Sequence, residues 1–266
     1  MRLRISHISE YSYDAPLFYA LQRLRLVPKS GPTQTVTEWS LSIEGAREEV
    51  RYDDAFDNDT RLLSINDEPH RIIVTASGVV DTVDANGIFG PHRGLAPLWL
   101  FRQPTDLSRP GQGVAALAEV VGEGEGGEIE RLHALMALVR ERVAYTVGAT
   151  NAVTTAEEAL AQGQGVCQDH AHIFISAARR LGFAARYVSG YLRLDGADEQ
   201  TASHAWAEAY VEGLGWAGFD SSNGISPDER YVRVACGRDY RDAMPVMGIR
   251  LGQAEERLAV RITVEQ

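Results

Sequence analysis

The sequence predicts an α+β protein: an N-terminal antiparallel β-sandwich, then a core in which helices precede an antiparallel sheet. Three observations predict it. Residues 2–80 carry strand patterns with no long helical stretch between them. Glu128–Val143 and the stretch from Cys167 to Leu181 carry helical periodicity. From Ala185 onward strand patterns return one after another. Strands first, helices next and strands again fit α+β layering rather than alternating βαβ units. The expected partition is a β-rich domain over 1–85, a crossover over 86–110 and a core over 111–266.

Leu3 and Ile5 alternate with arginines, Val36–Ile43 alternates through Trp39, Leu41 and Ile43, and His70–Val80 is rich in β-branched residues. Pro16, Gly31-Pro32, Gly45, Asp57-Asn58 and Asn66-Asp67 punctuate these strands. This region holds no catalytic constellation. Asp53, Asp54, Asp57 and Asp59 form an acidic cluster that suits a cation, although solvated turn residues are the simpler account. Glycines and prolines dominate 84–107, which reads as a crossover with buried aromatics at Phe89, Trp99 and Phe101. Gly111–Val121 fits a short helix and the glycine-rich stretch 122–127 a loop. Ile129, Leu132, Leu135, Met136, Val139 and Val143 line the inner face of the next helix. Thr154 and Thr155, each three residues before a glutamate, start another short helix with capping-box chemistry.

Gly163-Gln164-Gly165 then delivers the chain to Cys167. Cys167, Ala171, Phe174, Ala178 and Leu181 form one apolar stripe, with Gln168, His172, Ser176, Arg179 and Arg180 on the other face. Gly182 suits the C-terminal stop. Cys167 therefore sits in the first turn on the buried face, where unpaired backbone N–H groups and the positive dipole end favour a thiolate. Ala185–Leu194 reads as a strand and 195–200 as a polar loop. Ser203–Val211 and Gly215–Asp220 read as a hairpin. With Tyr210 facing Leu214, six steps outward bring His204 opposite Asp220; a loop one residue longer shifts the pairing by one. Facing side chains in a hairpin are neighbours. An imidazole held by a carboxylate is the orienting half of a nucleophile–base–orienter set. Trp206 shares the His204 face, a place that suits either a groove wall or the core, and Glu208 on that face has no evident partner. Val232–Cys236 and Arg257–Val264 complete the strands.

Composition narrows the function. A chain of 266 residues that is 44% hydrophobic and 24% charged is ordinary for a globular protein. A net charge of −11 makes nucleic acid and anionic membranes poor partners. No apolar run reaches membrane-spanning length, and the start lacks the apolar core of a signal peptide. Two cysteines without such a signal point to a reducing compartment, hence a cytoplasmic protein with no disulfide framework. Cys236 has no catalytic context and reads as structural. Asp169, His170 and His172 do not make a metal site, because helix positions two apart point in different directions. Asp169 suits the helix dipole instead. No cofactor is called for, and nothing in the sequence sets the oligomeric state.

The runs GVCQDHAHIFISAARRLGFAARYVSGYL, SHAWAEAYV and GWAGFDSSN resemble the core of the transglutaminase-like superfamily, whose Cys, His and Asp fall in this order. YSYDAP, LQRLRLVPKS and DAFDN resemble the β-rich N-terminal domain of its bacterial members, candidate cysteine proteases. VACGRDYRDAMPVMG resembles their tail, so nearly the whole chain is covered. Ser221 departs from the pattern, since that family usually has proline after the aspartate. The resemblance implies a papain-like core with the nucleophile at a helix N-terminus packed on an antiparallel sheet. It implies acyl transfer from amide or peptide bonds through a thioacyl intermediate, with Cys167 as nucleophile, His204 as base and Asp220 as orienter. Hydrolysis, by a protease or amidase acting on peptide or protein amides, is the leading expectation. Amine transfer by a transglutaminase is the alternative, and an inactive binding or assembly module on the same core is the rival of another class. Related enzymes place an aromatic oxyanion donor near Tyr145; Gln164 is the second candidate, and ordinary packing accounts equally well for both. Asp239 and Tyr240, in the tail motif, suit a pocket wall or a plain turn.

Overall fold

Alternation along the first strand decides what it covers. β1 (Arg2–Tyr13) buries every second side chain from Leu3 to Tyr13, as a period of two dictates. The structure, a computed structural model, describes residues 1–266 apart from 16–18, 66–69, 197 and 252–253, so the turns expected at Pro16 and Asn66-Asp67 lie outside the described residues. β2 (Tyr19–Val27), β3 (Gln34–Glu44), β4 (Arg47–Asp53), β5 (Asp59–Ile65) and β6 (Arg71–Thr82) follow. Tyr11, Tyr13, Ile72 and Val74 of β1 and β6 pack face to face on Leu24, Leu26, Leu63 and Ile65 of β2 and β5. That is the expected sandwich. The acidic cluster is occupied by the chain's own cations. Lys29 bridges Asp53 and Asp57, Arg25 pairs with Asp54, and Arg51 and Arg61 share Asp59.

The crossover contains β7 (Ile88–Gly90) and a 3₁₀ turn over Leu98–Arg102. Phe101 is buried and Phe89 half-buried, whereas Trp99, expected inside, is 61% exposed. Three residues per turn put Leu98 and Phe101 on the inner side and swing Trp99 outward. α1 (Gln112–Gly122) is capped from a distance: the Glu157 carboxylate accepts the N–H groups of Gly111, Gly113 and Val114. α2 (Glu128–Arg142) turns Leu132, Leu135, Met136 and Val139 inward. β8 (Ala144–Tyr145), α3 (Ala156–Gln162), with Thr155 and Glu158 forming its capping box, and β9 (Gln164–Gly165) lead to α4 (Cys167–Arg180).

α4 is enclosed by α1, α2, α3 and a sheet, which overturns the polar outer face expected for it. His172, Ser176 and Arg179 are buried and Arg180 is exposed. Ser176 donates to the Ser108 carbonyl, Arg179 donates to the carbonyls of Phe101, Ala185 and Arg238 and to Ser108 Oγ, and His172 Nε2 accepts the Tyr240 N–H. The helix needed polar side chains to tie down the loops around it, and periodicity cannot tell such residues from solvated ones.

β10 (Ala185–Leu192), β11 (Glu199–Gln200), β12 (His204–Val211), β13 (Gly215–Phe219), β14 (Tyr231–Gly237), α5 (Tyr240–Ala243), β15 (Val246–Leu251) and β16 (Glu256–Glu265) complete the chain. β10, β12, β13 and β14 join β7 in an antiparallel sheet ordered β14-β10-β12-β13-β7. Ala205, Ala207 and Ala209 of β12 turn toward Phe174 and its neighbours on α4, where small side chains admit a close helix. The segment 195–200, expected to be all loop, contributes β11, which pairs with β16. β15 and β16 enter the sandwich, in sheets ordered β15-β2-β5-β4 and β11-β16-β1-β6-β3. Leu3, Ile5, Val80, Ile262 and Val264 of the second of these pack on Tyr191, Val232 and Val234, joining the sandwich to β10 and β14 of the helix-bearing sheet.

Candidate active site

The chain reaches Cys167 through a rigid approach. β8 and β9 form a short parallel pair, Ala144 with Gln164 and Tyr145 with Gly165, and the Thr146 N–H donates to the Gly165 carbonyl at 2.8 Å. Gly165 is required there, since a Cβ would come within 2.7 Å of the Asp169 Cβ. Asp169 caps the helix: its Oδ2 accepts the Val166 N–H at 2.8 Å and the Thr150 hydroxyl at 2.6 Å. The His170 ring lies between the carbonyls of Val166, at 2.9 Å, and Val143, at 3.0 Å. Cys167 is the first residue of α4 and half-buried, and its N–H is among the first-turn donors that lack an intrahelical partner.

His204 opens β12 with its side chain 11% exposed, and its Nε2–H donates to Asp220 Oδ2 at 2.7 Å. Nε2 is thereby engaged, which leaves Nδ1 to face the Cys167 thiol, the imidazole's other hydrogen-bond partner. The hairpin register differs from expectation. Val211 faces Gly215, so the same outward count would set His204 against Ser222, and β13 stops at Phe219. The contact survives because the shift is two residues: a period of two keeps Asp220 on the His204 face as a diagonal neighbour. An isolated bridge between Asp220 and Ile225 closes the turn.

Asp220 is held from all sides. Oδ2 also accepts Asn223 Nδ2 and the Tyr231 hydroxyl, each at 2.7 Å, while Oδ1 accepts the Ser222 N–H and hydroxyl and the Asn223 N–H. The departure from proline after the aspartate thus leads into a turn whose next two residues, Ser222 and Asn223, both grip the carboxylate. Burial opposes charge on this carboxyl, but the His204 hydrogen bond and charge, with Ser222 and Asn223, hold it well below the usual carboxylate range. Burial likewise lowers the His204 pKa, yet the hydrogen bonds to Asp220 and Cys167 and their negative charges outweigh it and raise the value to about 10. A thiol, an imidazole and a buried carboxylate in one line can hold a thiolate–imidazolium pair and move a proton between sulfur and a substrate atom.

A groove of about 800 Å³ opens on Cys167 and His204. Tyr145 and Tyr240 line it, as do Leu192, Leu194 and the segment 199–205. Trp206, Asp239 and Gln164 do not. Trp206 is buried behind the imidazole, its ring stacked at 6.3 Å from that of His204 and edge-on to Tyr231. Gly190 makes room for it, because a Cβ there would lie 2.8 Å from the indole. Asp239 is buried and caps α5 through the Arg241 N–H. Gln164 is exposed on β9. Burial, then the charges of Cys167, Asp220 and Asp169, push the Tyr145 phenol up to about 12. Sequence patterning missed Tyr187, which is buried on β10 and reaches the groove, and Tyr231, whose contribution depends on a strand crossing the sheet. The partners of Glu208 are Arg186 and Arg233. Among the described residues no group of His, Cys, Asp and Glu side chains is arranged to hold a metal ion, and no helix is long and apolar enough to cross a membrane.

The transglutaminase-like superfamily model matches residues 115–221, and the bacterial transglutaminase-like N-terminal region matches residues 3–81. An uncharacterized protein of Mycobacterium leprae is 29% identical over 276 residues, covering 99% of this chain and 98% of that protein. An uncharacterized protein of Mycobacterium bovis is 30% identical over 280 residues, covering 93% of this chain and 87% of its own length. The crystal structure of a candidate cysteine protease from Cytophaga hutchinsonii superposes with a TM-score of 0.76 at 22% identity, covering 100% of this chain and 91% of that one, a likeness of fold.

Proposed function

Because the chain belongs to the transglutaminase-like superfamily, we propose that it is a cysteine-nucleophile acyl-transfer enzyme acting on amide or peptide bonds, with water as the usual acceptor. The observation that carries this is the 2.7 Å hydrogen bond from His204 to a buried Asp220, with the other side of the imidazole turned to a thiol at a helix start.

The Cys167 sulfur attacks the carbonyl carbon, a C–S bond forms and the carbonyl electron pair moves to oxygen. The Cys167 N–H stabilises that oxyanion as first donor, and Tyr145, on the groove wall with its proton held firmly, is favoured over Gln164 as second. Collapse breaks the C–N bond, and the His204 Nδ1–H protonates the departing amine. Water then attacks the thioester while His204 takes its proton, and release of the acid restores the thiol. Asp220 keeps the ring oriented and its charge balanced throughout. Tyr240 joins the wall that receives the substrate.

Hydrolysis is favoured because water at roughly 55 M outcompetes an amine unless a site binds the amine and keeps water out. Gln168, Gln200, Thr201 and Asn223 give the groove polar walls that suit water. The test incubates the protein and its Cys167→Ala variant with a glutamine-containing peptide library and a tagged primary amine, with products read by mass. Cleavage or deamidation lost in Cys167→Ala is expected. Amine adducts dominating at millimolar amine would make the protein a transglutaminase. No turnover and no thioacyl adduct with any peptide would favour the binding module.

A further inference from the structure

On the sheet face turned away from the helices, Arg186 of β10 and Glu208 of β12 stand directly opposite each other. Arg186 donates from Nε to one Glu208 oxygen, and Arg233 of β14 donates from Nε to the other at 3.2 Å. The Arg186 and Glu208 side chains are each 3% exposed and that of Arg233 is 16% exposed. Two guanidiniums therefore share one carboxylate, and the buried group carries one positive charge in excess. Aromatic rings soften that excess without cancelling it: Arg186 lies 4.0 Å from the Trp216 ring centre and Arg233 4.4 Å from that of Phe89. Arg186 Nη2 is close to Glu208 Oε2, yet its N–H groups are not aimed at an acceptor and it makes no hydrogen bond. Cys236 beside them spends its S–H on the Phe56 carbonyl at 3.5 Å.

A cavity of about 40 Å³ opens against these two guanidiniums, between the sandwich and the sheet. Its rim carries Lys29, Asp57 and Arg93. Lys29 lies between two carboxylates, Asp53 and Asp57, at 2.7 and 2.6 Å, so that these groups together with Arg186, Arg233, Glu208 and Arg93 still carry one positive charge in excess. Arg93 is exposed and has no ion pair among the described residues. A small space walled by an unmatched buried cation and a free arginine calls for an anion, since buried charge is tolerated when paired. Planar guanidiniums match tetrahedral oxyanions with paired N–H groups.

We propose that this cavity is a binding site for a small inorganic oxyanion of the phosphate or sulfate class, gripped by Arg186 and Arg233 and closed by Arg93. Its size excludes a nucleotide or a peptide. The bound ion tethers the loop around Lys29 and the turn at Phe56 and Asp57 to β10 and β14, the strands behind the groove. This site is independent of how Cys167 reacts.

The test is thermal unfolding and calorimetric titration of the full chain with sodium phosphate and with sodium sulfate, against sodium chloride at matched ionic strength. A saturable rise in Tm is expected for the oxyanions, roughly 3–10 °C once the ligand exceeds Kd ten- to hundredfold. Arg93→Ala, an exposed change that leaves the core intact, is expected to weaken the midpoint at least tenfold, and Arg233→Met to remove saturation. A rise that never saturates and is equal in parent and Arg93→Ala protein would be the general stabilisation by excluded salts, and would overturn the site. The same saturable midpoint in chloride, or no rise in the parent, would also overturn it.

Discussion

Replacing Asp220 by asparagine keeps the shape of the side chain proposed to orient His204 and removes its charge. Six hydrogen bonds converge on the carboxylate, three on each oxygen. A carboxamide has one acceptor oxygen and one NH₂. The Ser222 and Asn223 N–H groups are fixed in the turn and hold the amide oxygen, so the NH₂ points at His204, Asn223 Nδ2 and Tyr231. The Tyr231 hydroxyl can rotate to accept. His204 can satisfy the NH₂ only by accepting at Nε2, which moves its proton to Nδ1, where the thiol needs an acceptor. An orienter amidated in this way costs a serine protease about 10⁴-fold, so a loss of roughly 10³–10⁴ is expected, or ~4–5.5 kcal/mol of barrier. The Asp220 charge also helps raise the His204 pKa to about 10, so the alkaline limb of the rate profile should fall from that region toward neutrality. The assay is acylation by an activated ester such as p-nitrophenyl acetate, followed against pH, with circular dichroism confirming the fold. A folded variant within tenfold of the parent, with its alkaline limb unmoved, would refute the orienting role.

Limiting iodoacetamide at neutral pH is expected to label Cys167, because Cys236 is 0% exposed in the folded protein; mass mapping that finds Cys236 modified first would contradict this. Glu208→Gln leaves two buried guanidiniums facing a neutral group and should cost about 3–5 kcal/mol, read as a lower denaturant midpoint. Gly190→Ala brings a Cβ to 2.1 Å from the Val232 carbonyl and 2.8 Å from Trp206, so a destabilisation of ~1–3 kcal/mol is expected in the same assay. The depressed Asp220 adds stability present above its ordinary pKa of 3.8 and lost as the pH falls below it. The raised His204 adds stability present below 6.5 and lost as the pH rises through about 10. The pair's full contribution should thus lie between pH 3.8 and 6.5, and stability of the parent minus that of the Asp220→Asn protein, measured by denaturant titration across pH, should peak in that window.

The place of Cys167 at a helix start was legible because such a start is a local event, written in Gly165, Cys167 and the stripe behind them. The His204–Asp220 contact was legible by parity: an error of two in the register left both side chains on one face, where an error of one would have parted them. What was not legible depended on chain segments meeting from afar. Glu208 looked stranded because its partners lie one and two places away from β12 in the sheet order, on β10 and β14. The polar side of α4 looked solvated because Ser108 and Phe101, which it holds, come from a crossover with no periodicity. Trp206 and Asp239 had the right neighbours in sequence but point into the core and into a cap.

The pairing of β1 with β16, from Arg4 against Glu265 to Tyr13 against Glu256, has a consequence for synthesis. On a ribosome adding about 5–20 residues per second, β6 reaches β1 early, but β16 arrives roughly ten to forty seconds later. Throughout that interval one side of β1 is an uncovered strand edge, the kind of surface that recruits other chains. The exposed side chains of Arg2 and Arg4 on the strand are charged guards suited to that wait. A chain cut short after α5 would carry every side chain of the groove and still have one edge of its oldest strand uncovered.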